Sequence, residues 1–180
     1  TVIRANAQSL PFTDNLFDAI YSYGVIHHTK DPSKTLRECR RVLKRKGLLL
    51  FYVYSNHKKN LFKRFGIIAE NQIMSLLFLL PYQLKLIFCI GITPIVWLIF
   101  TVPSKLIKGI GLKKFAQKLP LNWGTTPFSI LPDIKDRFLA SINHRYSENS
   151  IKKLLEKSGF KAKKVIEDYS GIYIAAEKII

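Results

Sequence analysis

The sequence predicts an α/β fold that ends in a β-hairpin and carries an apolar helical insertion. A capped amphipathic helix runs into a continuous apolar stretch near residue 50, the last twenty residues pattern as two strands joined by a tight turn, and a long uncharged segment between them is bracketed by lysines.

The elements follow in chain order. Val2 to Ala5 reads as the end of a strand, which places the start of the chain, at Thr1 with no initiator Met or signal peptide, inside a fold. Asn6 to Leu16 is a loop, marked by Pro11 and the Thr13-Asp14-Asn15 cluster. Phe17 to Tyr23 is a strand. Asp31-Pro32 opens a helix: the carboxylate accepts orphan backbone N–H groups, and proline suits the first helical position. Leu36, Cys39, Val42 and Leu43 share one face of it, and Gly47 is expected to stop it. Leu48 to Tyr54 has the unbroken apolar character of a strand covered on both faces. Ser147 caps a last helix that ends at Gly159, and Lys161 to Glu167 and Gly171 to Glu177 form the hairpin. The division expected is a core of residues 1–56 and 121–180 around an insertion of residues 57–120.

Lys and Arg number 29 against 12 Asp and Glu, a formal charge of +17. Residues 57–120 hold ten basic groups and one acid, Glu70, although they are also the most apolar part of the chain. Nucleic acid and an anionic membrane surface both attract such a charge. The two cysteines, Cys39 and Cys89, stand far apart among apolar residues and have no metal-ligand spacing; they read as reduced core residues, which fits the cytoplasm, and no metal is expected.

The stretch from Ala5 to Tyr54 resembles the class I S-adenosylmethionine-dependent methyltransferases, in the branch of ubiquinone- and menaquinone-biosynthesis-like enzymes. The matching pieces are Asn6-Ala7, Leu10-Pro11-Phe12, Asp14 with Phe17-Asp18, Ile26-His27-His28 and Arg41-Val42-Leu43-Lys44, in the family's order and spacing. Residues 143–160 resemble the family's last helix. The resemblance implies a Rossmann-like, mostly parallel sheet of seven strands with the last one antiparallel, of which this chain supplies the second half. It implies S-adenosylmethionine as cofactor. The glycine-rich loop and the acidic ribose ligand of the family have no counterpart in these residues, so residues 1–180 alone are expected to bind the cofactor weakly.

By the same resemblance Asn6 and Ala7 sit beside the adenine, Asn6 in place of the usual aspartate, so that its amide oxygen still accepts a hydrogen bond but without the charge. Ser22, Tyr23 and Gly24 end a strand, where ligands of doubly wound sheets bind, and are expected at the methionine end or the acceptor. His27 and His28 are the candidate general bases, since an imidazole titrates near neutral pH. The plainer readings are a turn residue for Asn6, a core aromatic for Tyr23 and imidazoles bonded to backbone. His144, Arg145 and Tyr146 face either the acceptor or solvent.

Ile73 to Val102 is almost wholly apolar, and no charge falls between Leu86 and Val102, a run of 17 residues interrupted by Pro94. A helical cap over an apolar pocket, a membrane-surface element and a bilayer span all fit this composition. A cap with membrane contact is the expectation, because the run is short for a span. The function expected is methyl transfer to a small hydrophobic or lipid-like acceptor, by an enzyme peripheral to the inner face of a membrane. The alternatives are an RNA methyltransferase, for which the strand end Ser22-Tyr23-Gly24-Val25 lacks an Asn-Pro-Pro-Tyr-like motif, and a non-catalytic membrane-associated remnant.

Overall fold

A computed structural model describes residues 2–58, 60–119, 124–140 and 142–179. Its elements in order are β1 (Phe17–Tyr23), α1 (Pro32–Val42), β2 (Leu43–Val53), α2 (Leu61–Leu77), α3 (Tyr82–Val96), α4 (Val102–Gly109), α5 (Lys113–Ala116), α6 (Leu131–Leu139), α7 (Glu148–Lys157), β3 (Phe160–Glu167) and β4 (Ile172–Lys178). They form two units, Thr1–Asn56 with Ile142–Ile180, and His57–Ser141.

The first unit is an α/β layer. Its sheet has the order β1-β2-β4-β3, with β1 and β2 parallel and the last strand, β4, antiparallel to both neighbours. Asp31 caps α1, its carboxylate accepting from Lys34 N–H at 2.9 Å. The inward face of α1 (Leu36, Cys39) and that of α7 (Ile151, Leu155) pack on Leu49, Phe51, Val53, Ile172, Ile174 and Ala176 of the sheet. Each of the large side chains buried there stabilises the fold by roughly 1.5–3 kcal/mol. Both helices lie on the same face. The other face stays open, and Tyr21, Tyr23, Leu48, Leu50, Tyr173 and Ile166 are exposed on it.

The hairpin turn forms where the sequence places it. Asp168 Oδ1 accepts from the N–H groups of Ser170 at 2.7 Å and Gly171 at 3.0 Å, an Asx turn that sets the β3–β4 register.

Two expectations need correction. Val2 to Ala5 is not a strand: these residues pair with no neighbour among the described residues, and Val2 is fully exposed, so their backbone groups are left to water. Gly47 does not end α1. The helix stops at Val42, and β2 begins at once with Leu43 opposite Phe17, makes an excursion over Lys44–Gly47, and rejoins with Leu48 opposite Ala19. A Cβ on Gly47 would lie 2.8 Å from the Lys44 carbonyl and 3.2 Å from that of Asp18, so the glycine permits a close backbone approach inside the strand.

The second unit is all helical. Cys89, Ile130 and Ile134 form its core, with Phe88, Ile92, Val96, Trp97 and Phe138 packed around them. Glu70 on α2 is buried and pairs with Arg137 of α6 at 2.9 Å, which also holds Asp133 at 2.7 Å. Composition puts the end of the insertion at residue 120, where Pro120 lies outside the described residues, as does the flanking Lys59. The compact unit runs on to Ser141, because Leu131, Ile134, Phe138 and Leu139 of α6 belong to its core.

Candidate active site

The loop of residues 6–16 has no regular structure, and α1 holds it in place. Arg41 reaches across to it and donates to the carbonyls of Phe12 at 2.8 Å and Leu10 at 3.1 Å, and to Asp14 at 2.6 Å. Its other partner is Glu38, at 2.7 and 3.0 Å. Glu38 accepts in turn from Leu10 N–H at 2.8 Å. The Arg41 guanidinium holds the Glu38 carboxyl below its ordinary 4.5. A depressed carboxylate contributes stability above its unfolded value and loses it as pH falls through the folded one. The loop should therefore loosen as pH falls below 4.5, seen as faster amide exchange at Leu10 in an acid pH series.

Asn6 is exposed at the head of this loop, and its Oδ1 accepts from Gln8 N–H at 2.9 Å. That closes a turn but uses one lone pair of two. Ala7 is half-buried. Gln8 Nε2 donates to the Asp31 carbonyl at 3.2 Å, which ties the loop to the segment that follows Ser22, Tyr23 and Gly24.

Ser22 points toward the helical side of β1 and is half-buried, while Tyr23 lies on the open face. The parallel register sets Tyr23 beside Tyr52, ring on ring at 4.7 Å, and the antiparallel register sets Tyr52 opposite Tyr173 at 4.9 Å. Partial burial, then the hydroxyl of Tyr173, push the Tyr23 phenol up to about 12, so at neutral pH it is a hydrogen-bonding group and not a base. Tyr21, Tyr23, Leu50, Tyr52, Ile166 and Tyr173 frame a shallow hollow of about 200 Å³ on this face. Gly24 leaves the strand with φ of +71°, a left-handed conformation that favours glycine, and a Cβ built there meets nothing within 4 Å.

The chain then turns through Val25 to His28. His27 has no exposed surface; its ring lies 4.3 Å from that of Tyr54 and 4.1 Å from that of His28. His28 is half-buried, and its Nδ1 stands 2.8 Å from the Ile142 carbonyl. A carbonyl only accepts, so Nδ1 carries the hydrogen. Residues 142–146 run beside the end of β2: His144 N–H donates to the His27 carbonyl and Tyr146 N–H to that of Tyr54, both at 2.9 Å. The guanidinium of Arg145 sits over the Tyr54 ring at 5.2 Å.

The structure thus gathers Tyr23, Gly24, His27 and His28 at the carboxyl ends of β1 and β2, and places Asn6 and Ala7 on a separate loop joined to them through Gln8 and Asp31. Sequence reasoning missed Tyr52, Tyr54 and Tyr173. Their signal was the aromatic alternation in Phe51-Tyr52-Val53-Tyr54, at a strand end where ligands bind.

Every predicted site residue falls in one stretch that is known elsewhere. Residues 1–51 match the methyltransferase domain family. The chain is similar to a ubiquinone/menaquinone biosynthesis C-methyltransferase of Shewanella frigidimarina, 39% identical over 62 residues, which cover 34% of this chain and 25% of that protein. It is also similar to the probable tRNA methyltransferase 9B of Homo sapiens, 46% identical over 55 residues, 29% of this chain and 12% of that one. A solved S-adenosylmethionine-dependent methyltransferase from Methanosarcina mazei aligns with 98% of this chain and 66% of its own, at 17% identity and a TM-score of 0.47. The matched stretch spans no more than 30% of the length of these curated relatives.

The cofactor of the methyltransferase family is S-adenosylmethionine. The residues present fit part of it. Asn6 is exposed and keeps a lone pair for an exocyclic amine, and the open space beside Gly24 lets a ligand approach the backbone at the strand end. Both cysteines are buried and free, and burial pushes the Cys39 thiol up to about 11, so neither is a nucleophile at neutral pH.

Proposed function

We propose that this chain carries the acceptor side of an enzyme that moves a methyl group from S-adenosylmethionine to a small apolar acceptor. The observation that carries the reading is the coincidence of the methyltransferase segment with a strand-end cluster on a sheet whose last strand is antiparallel. The open aromatic face of that sheet supports a longer enzyme in which further structure covers it.

The cofactor supplies a methyl group on a cationic sulfonium that leaves as a neutral thioether, so the protein has little acid chemistry to do. Its residues align and deprotonate. Asn6 and the Ala7 N–H meet the adenine edge, while Ser22, Tyr23 and Gly24 border the methionine end. The faces of Tyr23, Tyr52 and Tyr54 favour a nearby positive charge, as Arg145 over Tyr54 already demonstrates. His28 is the base for an acceptor hydroxyl or carbon acid. His27, being buried, holds the His28 ring in place.

The apolar acceptor class rests on the composition of residues 73–102 and on the quinone-pathway relative. A second reading, RNA as acceptor, is favoured by the charge of +17 and by the tRNA methyltransferase relative. One assay separates them: methyl-tritiated S-adenosylmethionine is given to the enzyme carrying this chain, with a polyprenyl phenol and total tRNA offered side by side. Label in the organic phase is expected, and label in the tRNA would replace the first reading with the second. Label in neither, with no cofactor binding by calorimetry, would leave a non-catalytic remnant. In the active enzyme His28→Gln should lower kcat by about 10²-fold or more and remove the acidic limb of its pH profile, with KM little changed. An unchanged profile would dismiss His28 as the base.

A further inference from the structure

The helices α3 and α4, joined through a π-turn at Trp97–Thr101, make one 28-residue rod, Tyr82–Gly109, whose two faces are reversed relative to those of a water-soluble protein. The buried stripe carries Cys89, Thr93, Thr101 and Ser104, with the half-buried Phe88, Ile92, Val96 and Trp97 beside them. The Thr93 hydroxyl donates to the Cys89 carbonyl at 2.6 Å and that of Ser104 to the Ala116 carbonyl at 3.1 Å. The outward stripe is large and aliphatic: Ile87, Ile90, Ile95, Leu98, Ile99 and Leu106 are all exposed. Water selects the opposite arrangement. Buried hydroxyls on the inward side with large aliphatic side chains turned outward are the pattern of a helix whose outer solvent is lipid.

Charge names the kind of lipid. Lys58, Arg64, Lys108, Lys113, Lys114 and Lys118 are exposed toward the carboxyl end of this rod, where Asn60 bonds the Lys118 carbonyl and Phe62 meets Phe115. The one acid among residues 57–120, Glu70, is turned inward onto Arg137. The exposed charge bordering the apolar stripe is therefore of one sign and complements anionic headgroups.

The packing also decides the depth. The rod is long and apolar enough to cross a bilayer. Yet its stretch from Phe88 to Trp97, which reaches the midpoint, packs with Ile134 of α6, a helix that also carries Asp133, Lys135, Asp136 and Arg137. A crossing rod would carry those four charges to membrane depth, at a cost of several kcal/mol each by insertion scales. Lying in the membrane plane, the rod keeps α6 on its water side.

We propose that His57–Ser141 docks on the surface of an anionic bilayer, with the aliphatic stripe from Ile87 to Leu106 immersed and the helix axis parallel to the membrane. This does not rest on the methyl-transfer reading. The test is co-flotation of the full 180-residue chain with vesicles of phosphatidylcholine alone and of phosphatidylcholine with roughly a third phosphatidylglycerol. The expected result is binding to the anionic vesicles at least tenfold tighter than to the neutral ones, and release by alkaline carbonate. Leu98→Glu with Ile99→Glu, at exposed positions, should weaken binding at least tenfold and leave the circular dichroism unchanged. Should that pair disturb the fold, Lys113→Gln with Lys114→Gln reads the electrostatic half alone and should reduce binding to anionic vesicles only. Equal binding to both vesicle types, retention through carbonate, indifference to both pairs, or capture of RNA without capture of vesicles would each overturn the proposal.

Discussion

Replacing Arg41 with alanine should release the whole of residues 6–16 and lower the stability of the chain. Five hydrogen bonds end on this guanidinium, and two backbone carbonyls, Leu10 and Phe12, have it as donor. The contact to Asp14 contributes little, since that carboxylate is 67% exposed and its attraction is screened. The weight falls on Glu38, which is 16% exposed and would be left as a charge facing only the Leu10 N–H. The variant should lower the denaturant midpoint and raise amide exchange across residues 8–14, and leave exchange in β3 and β4 as it was. Arg41→Lys should recover less than half of the loss, because an ammonium cannot reach a carboxylate and two diverging carbonyls together. A fall in midpoint spread evenly over the sheet would mean that Arg41 serves the core and not the loop. Since the loop carries Asn6 and Ala7, the same variant should weaken S-adenosylmethionine binding in the active enzyme.

Arg41 also shows how much of the site the residues disclosed by themselves. Its place in Arg41-Val42-Leu43-Lys44 marks the family resemblance, but nothing in the spacing says that it clamps a loop some thirty residues upstream. Elements fixed by local chemistry were legible. Phe17 to Tyr23 is a strand with those limits, Asp31-Pro32 starts α1, and Asp168 closes the hairpin, because capping and turn formation depend on neighbours a few residues away. Elements fixed by distant partners were not. Gly47 reads as a helix stop until the Asp18 carbonyl is seen beside it. Val2 to Ala5 has strand residues and no strand to join. The rod from Tyr82 to Gly109 is apolar on every side, so composition leaves open which stripe faces inward. Only the packing of Cys89 and the burial of Thr93, Thr101 and Ser104 identify it.

The aromatic cluster depends on register in the same way, and Gly171 is where that dependence is sharpest. Gly171→Ala should destabilise the chain by about 2–3 kcal/mol. A Cβ there would lie 2.6 Å from both Tyr52 Cε2 and the Val53 carbonyl oxygen, and 2.7 Å from the Tyr52 hydroxyl. The ring could swing aside, but the carbonyl belongs to the strand through which Val53 faces Ile172. Relief therefore requires either β4 to lift from β2 or Tyr52 to leave the stack it shares with Tyr23 and Tyr173. The second route also breaks the bond from the Tyr52 hydroxyl to the Ser170 carbonyl, 2.8 Å long. Gly66→Ala makes the contrast: in the interior of α2 a Cβ meets nothing, and alanine should stabilise by up to about 1 kcal/mol. Combining Gly171→Ala with Tyr52→Ala separates the two clashes. If the ring is the main obstacle, the double variant should be less destabilised than the sum of the singles by about 1 kcal/mol or more. If the sum holds, the carbonyl of Val53 is what the glycine accommodates, and the position of Tyr52 at the site is set by its strand and not by the turn beneath it.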